Sequence, residues 1–329
     1  MIRLSSSSLA RLIASVLALA ACRDDAAPPT SAATSGQGGD DGDGGRSPGT
    51  GGGGAGAPGG PIKVLNWNVR NMFDTKKDST DEGEDVPTQA QYDFKMDKVV
   101  TVLQAAAPQV VVLAEIENQS VLDDLATRIG PQYIARELIE GNDPRGIDVA
   151  VVSTIAFDQV VSHKDERFAV EGTTAPTFNF TRDCPEFHMT IGGRHVVFLA
   201  IHLRSKLGDE GADKRLAEGQ RARAIANGLL AADPNAAVIL LGDFNDVPGS
   251  PPIEAVRAPE PAFLSATDFV PEADRWTFNF QGNRELIDHQ LSNPNAAALL
   301  DQASVVIDRS PPAQSASDHS PLSAVYVVP

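Results

Sequence analysis

From residue 61 onward, short unbroken apolar runs alternate with longer stretches whose apolar residues recur at helical spacing. The runs at 62–68, 110–115, 147–154, 195–202 and 238–243 are rich in Val, Ile and Leu, and each is long enough for a buried strand. Between them, 91–107 carries Phe94, Val99, Val102 and Leu103 near helical spacing, and 212–232 is rich in Ala and Arg, so both predict helices. Further strands are predicted at 275–280, 286–292, 304–308 and 322–328. Strands alternating with helices in this order predict an α/β protein with mostly nonlocal sheet pairing.

The first 60 residues follow a different pattern. Fourteen of the 28 glycines fall between Gly36 and Gly60, among almost no large apolar residues, so this stretch is expected to form a flexible tether rather than a core. Residues 61–329 show no second Gly/Ser/Pro-rich break and no repeat, and are expected to form one domain. Ahead of the tether, Arg3 and Arg11 flank a serine run. The apolar segment 12–21 is too short to span a bilayer and suits a signal peptide. Its end, Leu19-Ala20-Ala21-Cys22, resembles a bacterial lipobox. That resemblance implies cleavage after 21, lipidation of Cys22 and a tether over 22–60 reaching on the order of 30–40 Å. The chain is then expected to be exported and anchored to a bacterial cell membrane or outer membrane, on the periplasmic or cell-surface side. Cys184 would be left alone, with no intramolecular disulfide.

Charge narrows the function classes. The chain has 27 Lys plus Arg against 44 Asp plus Glu, and 61–329 alone holds 23 against 39. Such a body does not clamp nucleic acid through bulk charge, although a divalent ion and local cations still permit a nuclease. No obligate protein partner is inferred.

The candidate chemistry stands at the strand ends, where α/β folds place their sites. Asn68 closes the first run, Glu115 the second, Asp148 opens the third and His202 ends a later one. Asp243 and Asn245 follow the run 238–241, Asp288 lies in another, and Asp318-His319 precedes the last. A Glu, an Asn and several Asp, without a Cys cluster or a His pair at i, i+4, supply hard oxygen ligands suited to Mg2+, Mn2+ or Ca2+. Two histidines on separate segments can give a proton acceptor and a donor. This inventory suits phosphate-ester hydrolysis.

Seven blocks carry a family resemblance: VLNWNVRNMFD (64–74), VVVLAEIEN (110–118), RGIDVAVVS (145–153), FLAIHLRSK (198–206), LLGDFNDVPGS (240–250), ELIDHQLSN (285–293) and SDHSPL (317–322). In this order they resemble the endonuclease/exonuclease/phosphatase family, which includes deoxyribonuclease I, across essentially all of 61–329. The resemblance implies a four-layer α/β sandwich, two mixed β-sheets face to face with helices outside. It implies Glu115 as the principal metal carboxylate with Asn68 beside it, and Asp318 in the metal shell. Asp243 and Asn245 then position water and a phosphate oxygen, and His319 serves as base or transition-state donor. Asp288 is expected to partner His319, and Asp148 to orient His202. The metal expected is Mg2+, with Mn2+ or Ca2+ as alternatives.

His202 stands where abasic-site endonucleases of the family usually have Tyr. Together with Phe278-Asn279-Phe280 and Arg284 ahead of Asp288, it makes the chain most similar to bacterial extracellular nucleases. A surface-anchored or secreted endonuclease with nucleic acid as substrate is the first reading. A phospholipid or small-molecule phosphodiesterase and an inactive surface-binding module remain as alternatives. Arg204 and Lys206 follow His202 and are candidates to grip the substrate phosphate, surface solvation being the alternative; Arg145 stands the same way. The acidic run 78–85 is read as a solvated loop, Trp67 as core, and His163, His188, His195 and His289 as structural or surface.

Overall fold

The computed structural model describes residues 56–77, 86–206 and 211–329. The expected signal segment, Cys22 and the acidic run 78–85 lie outside the described residues.

Two six-stranded sheets form the centre of the fold. The first runs β13-β14-β1-β2-β4-β3, built from β1 (Gly60–Met72), β2 (Val110–Ile116), β3 (Ala135–Ile139), β4 (Asp148–Ser153), β13 (Leu300–Ile307) and β14 (Leu322–Val328). The second runs β5-β6-β7-β8-β12-β9, built from β5 (Gln159–Val161), β6 (Glu186–Ile191), β7 (Arg194–His202), β8 (Ala237–Asp243), β9 (Leu264–Ser265) and β12 (Asp288–Ser292). A separate hairpin pairs β10 (Phe278–Phe280) with β11 (Asn283–Glu285). Among the described strands β1–β2 and β7–β8 pair in parallel and the others antiparallel, so both sheets are mixed.

Side-chain alternation sets the layers. Val64, Val110, Val112, Val149 and Val151 of the first sheet meet Phe187, Met189, Val196, Phe198, Ile239 and Leu241 of the second in one buried cluster. The intervening residues point outward. Leu65, Trp67, Val111 and Leu113 pack under α1 (Gln89–Ala106) and α2 (Gln119–Ile129). Val197, Leu199, Val238 and Leu240 pack under α3 (Gly211–Ala232) and α4 (Pro251–Arg257). Both faces of the central strands are therefore dry, and this is why they read as continuous apolar runs. Two short helices, α5 (Pro294–Ala297) and α6 (Pro311–Ala316), complete the α/β/β/α sandwich.

Several boundaries depart from the apolar pattern for local reasons. Helix α1 starts at Gln89 rather than 91 because Thr88 and Gln91 form a reciprocal capping box, and it ends at Ala106, where Ala107 caps it in a left-handed conformation (φ 47°) ahead of Pro108. Helix α2 is not predicted by the runs above, although its signals stand in the chain. Asn118 caps it by accepting from Val121 N, and Val121, Leu122, Leu125 and Ile129 form its buried stripe. The 275–280 strand shrinks to Phe278–Phe280 because Arg275 N and Trp276 N donate back into the preceding turn, to Glu272 O and Asp274 O. At the other end of the domain, Ala57 N donates to Thr190 O and Gly192 N donates to Ala57 O, so chain ahead of β1 already packs on β6 and its turn.

Candidate active site

The polar residues collect where β1, β2, β7 and β8 all end. In the second sheet His202 is the register partner of Asp243 across β7–β8, and Asp288 its partner across β8–β12. Residues at one register on neighbouring strands share a face, so these three side chains rise together from the face that meets the first sheet. Across from them, Asn68 pairs with Ala114, next to Glu115, and Asp148 pairs with Ile116.

Asn68 joins the two sheets. Its Nδ2 donates to Glu115 Oε1 and to Asp243 Oδ2, both at 3.0 Å, while its Oδ1 accepts from Arg70 N at 2.8 Å. Glu115 sits at a bulge with φ 66°, a left-handed conformation that costs a non-glycine residue about 1–3 kcal/mol. Its second oxygen accepts from Asn71 N at 2.7 Å, and Arg70 and Asn71 are themselves left-handed. Two strained strand ends are thus locked together by the carboxylate between them.

The two histidines differ. His319 Nδ1 lies 2.9 Å from Asp288 Oδ2, and its carbonyl accepts from Trp67 Nε1 at 2.9 Å. Burial opposes its charge, but Asp288 and Asp243 overcome this and raise its pKa to about 10, so it is an imidazolium at neutral pH. His202 is driven the other way, well below the ordinary histidine value, by burial and by the nearby Arg182 and Arg145 guanidiniums. Neutral His202 places Nε2 3.7 Å from Asp243 Oδ2 and 4.0 Å from Glu115 Oε1, and its Nδ1 has no hydrogen-bond partner. Burial raises the pKa of Asp243 against the pull of His319. One charged and one neutral imidazole thus flank a single carboxylate.

A sequence model of the Endonuclease/Exonuclease/phosphatase family matches residues 63–288. The chain belongs to this family. Its members are metal-dependent phosphoric ester hydrolases. The fold is similar to that of TDP2 from C. elegans (17% identity, 82% of this chain and 75% of that one, TM-score 0.53). It is also similar to the endonuclease/exonuclease/phosphatase from Beutenbergia cavernae (16%, 82% and 72%, TM-score 0.56) and to the human Nocturnin catalytic domain with bound sulfate anion (15%, 82% and 95%, TM-score 0.53). No curated protein sequence matches the chain.

The family's divalent ion fits the donors present. Asp243, Asp288 and His319 offer atoms within 4.8 Å of one another, a spacing one ion could bridge. A protonated His319 cannot ligate, however, and its pairing with Asp288 already occupies that spacing. Glu115 is the better holder. It is a hard oxygen donor whose side chain is 15% exposed, against 1% for Asp243.

Other expected residues fall differently. Asp148 does not hold His202: its Oδ1 accepts from Gly141 N at 2.7 Å, and His202 Nδ1 stays unpartnered. The reason is topological, since Asp148 opens β4 of the first sheet and turns to the adjoining loop, while His202 ends β7 of the second. Asp318 pairs with Arg70 Nη1 at 3.5 Å. Asn245, left-handed at φ 52°, donates its backbone N–H to Asp243 Oδ1 at 2.7 Å, and its Nδ2 donates to Leu203 O at 3.0 Å. Lys206 reaches across to Glu285 Oε2 at 2.9 Å, so it closes a gap between loop and hairpin instead of standing open to phosphate. Arg204 N donates to buried Glu218. Arg145 is buried against Asp143, as is Arg182, whose Nη2 lies 2.6 Å from the same carboxylate.

Some site residues carry no strong signal in the sequence. Lys95 of α1 donates to Arg70 O and Asn71 O behind Glu115, and burial lowers its pKa to about 8 against the pull of Glu115. On a helix it reads as an ordinary surface lysine. Thr277 Oγ1 accepts from Asp288 N at 3.0 Å, and the Phe278 ring lies 4.9 Å from that of His319. Their role depends on contacts across the chain, which spacing does not encode.

Proposed function

We propose that this chain is a Mg2+-dependent nuclease that hydrolyses phosphodiester bonds of DNA, and RNA by the same chemistry. The observation that carries this reading is the row His202–Asp243–Asp288 facing Glu115, with His319 held charged and His202 neutral. Glu115 and Asn68 would hold the ion, with Asp318 as a further carboxylate for it; bound there, it would supply neutralisation of nonbridging phosphate oxygens. His319, charged because Asp288 holds its Nδ1, offers its Nε2 proton to a phosphate oxygen as negative charge grows in the transition state. Asp243 has a raised affinity for protons and sits beside that position, so it accepts the proton of the attacking water. His202 directs Nε2 toward Asp243 and Glu115, and it adds a neutral imidazole to the same pocket. Asn68 fixes the spacing between Glu115 and Asp243.

The same reading includes export and anchoring through Cys22, which rest on the lipobox-like tetrad and the Gly-rich tether. Both assignments are tested with the full chain. Plasmid DNA, single-stranded DNA, RNA, sphingomyelin and bis-p-nitrophenyl phosphate are offered with Mg2+, Mn2+ or Ca2+, beside His319→Ala and Asp243→Ala. Metal-dependent nicking lost in both variants is expected. Turnover of only the lipid or the small diester would replace the nuclease with a phosphodiesterase of that substrate, and no turnover at all would leave a binding module. Metabolic labelling with a palmitate analogue, lost in Cys22→Ser, tests the anchor.

A further inference from the structure

One cation near the cleft has no carboxylate partner among the described residues. Arg284 of β11 is exposed and lies over the Trp276 ring, with its guanidinium carbon 4.5 Å from the ring centroid. Arg309 lies over the same ring at 4.1 Å, and its pKa is depressed by burial, which the Asp274 charge opposes and the Arg284 charge reinforces. One carboxylate, Asp274, approaches this pair, at 4.0 Å from Arg309 Nη1. The chain carries 17 more acidic than basic groups. Arg128, Arg136, Arg215, Arg221 and Arg257 lie against carboxylates, while Arg223 and Arg275 are held by backbone carbonyls. Exposed cation–π contacts contribute about 0.5–1 kcal/mol each, too little to make two neighbouring guanidiniums an obvious device for stability. They do restrict where Arg284 can point, and this lowers the entropy cost of binding an anion.

The hairpin fixes which anion. Phe278 bridges the His319 backbone and Asn279 N donates to Asp318 O, so β10 walls the cleft. Phe278 pairs with Glu285, and Asn279 with Arg284. Arg284 therefore occupies the hairpin face opposite to the one that meets His319, and it does not reach the phosphate being cut. We infer that Arg284, steered by Trp276 and Arg309, grips a flanking backbone phosphate of a nucleic-acid strand, so that the enzyme favours polynucleotides over small diesters. This inference rests on the nuclease reading and names its substrate length. It assigns to Arg284 the backbone contact that the ion-paired Lys206 does not offer, and it places a cation where an acidic protein needs one to hold a polyanion.

Initial rates of the full chain and of Arg284→Ala and Arg284→Lys are compared on a labelled oligonucleotide and on bis-p-nitrophenyl phosphate, across a salt series. In Arg284→Ala the oligonucleotide KM is expected to rise roughly tenfold, and the slope of log affinity on log salt to weaken by about one, as for loss of a single phosphate contact. Arg284→Lys recovers the salt slope and only part of the KM. The small diester, which does not extend to the hairpin face, is turned over as by the native chain. Unchanged oligonucleotide KM and salt slope in Arg284→Ala would overturn the inference, and so would an equal loss on both substrates, which marks a structural role. A native chain that cleaves the diester but no oligonucleotide removes the nuclease reading itself.

Discussion

Strand β7 carries a histidine at each end, and the two environments differ in one physical respect. His195 and His202 are seven residues apart and so point to opposite faces of the sheet. On the outer face His195 belongs to a closed chain. His163 lies between Glu166 (2.9 Å) and Glu186 (2.8 Å), His188 between Glu186 (2.7 Å) and His195 (2.9 Å), and His195 reaches Asp233 at 3.2 Å. Every ring nitrogen in that chain has a partner. On the inner face His202 Nδ1 and Asp288 Oδ1 have none, and the imidazole nitrogens facing Asp243 stand at 3.7 and 3.9 Å, too far for a hydrogen bond. Unmatched buried polar atoms are expensive, about 1–3 kcal/mol each, and a fold tolerates them where a ligand completes them. The same residue types therefore build a brace at one end of β7 and the candidate active site at the other.

The largest effects that test this contrast fall on turnover. His319→Ala and Asp243→Ala are each expected to lower kcat roughly a hundredfold to ten-thousandfold on a phosphodiester, with the melting temperature nearly kept. His188→Ala should do the reverse, lowering the melting temperature and leaving kcat within about twofold. If His188→Ala abolished hydrolysis in a folded protein, the outer chain would not be only a brace.

The second effect is on stability against pH. Burial works against the charge of Glu186, but His163 and His188 win and lower its pKa from 4.5 to about 2. A depressed carboxylate gives stability that is present above its unfolded pKa and lost as pH falls through its folded value. The contribution, on the order of 3 kcal/mol, should thus disappear between about pH 4.5 and 2. His163 is raised, with burial opposed by Glu186 and Glu166, so its contribution is present below pH 6.5 and lost as pH rises through its folded value. Chemical denaturation across pH should show both losses, and Glu186→Gln should remove the acid one. An unchanged acid limb in Glu186→Gln would place that loss elsewhere.

A third, smaller effect concerns the join between the sheets. Asn68→Ala removes the donor shared by Glu115 and Asp243, and is expected to weaken the stabilisation by added Mg2+ or Mn2+ about tenfold in apparent affinity, while Glu115→Ala abolishes it. Thermal-shift titration reads both, and saturable stabilisation of Glu115→Ala at the native midpoint would move the ion to another ligand set.

The layers were legible before the structure because dry strands must be apolar on both faces, and strands such as 110–115 and 238–243 announce themselves that way. Polar residues interrupting such runs at their ends, Asn68, Glu115, His202 and Asp243, were legible for the same reason, and the structure brings them together. Helix α2 is hidden in the sequence because its stripe follows directly on the β2 run, and the apolar count alone does not show the change of period at Asn118. Lys95, Thr277 and Phe278 reach the site through contacts made by other segments, which no local spacing encodes. Neutral and charged histidine were likewise indistinguishable in sequence, because Arg182 and Arg145 act on His202 only through the fold.

Asp148 gives the smallest effect on turnover and the sharpest check on that last point. Its position ahead of a buried strand suggested a partner for His202, yet its carboxylate serves the Gly141 backbone, and burial raises its pKa to about 7. An acid whose folded pKa lies above its unfolded value loses stability as pH rises from about 4 to 7, because the native state resists ionising while the unfolded state does not. Asparagine keeps the acceptor for Gly141 N and carries no charge. Asp148→Asn should therefore leave kcat within about threefold, match the native melting temperature below about pH 4, and exceed it increasingly up to about pH 7, above which the gap stays constant. A large drop in kcat with the pH profile shifted in the range where histidine titrates would instead restore Asp148 as the group that orients His202, and would mean that the Gly141 contact is exchanged during the reaction.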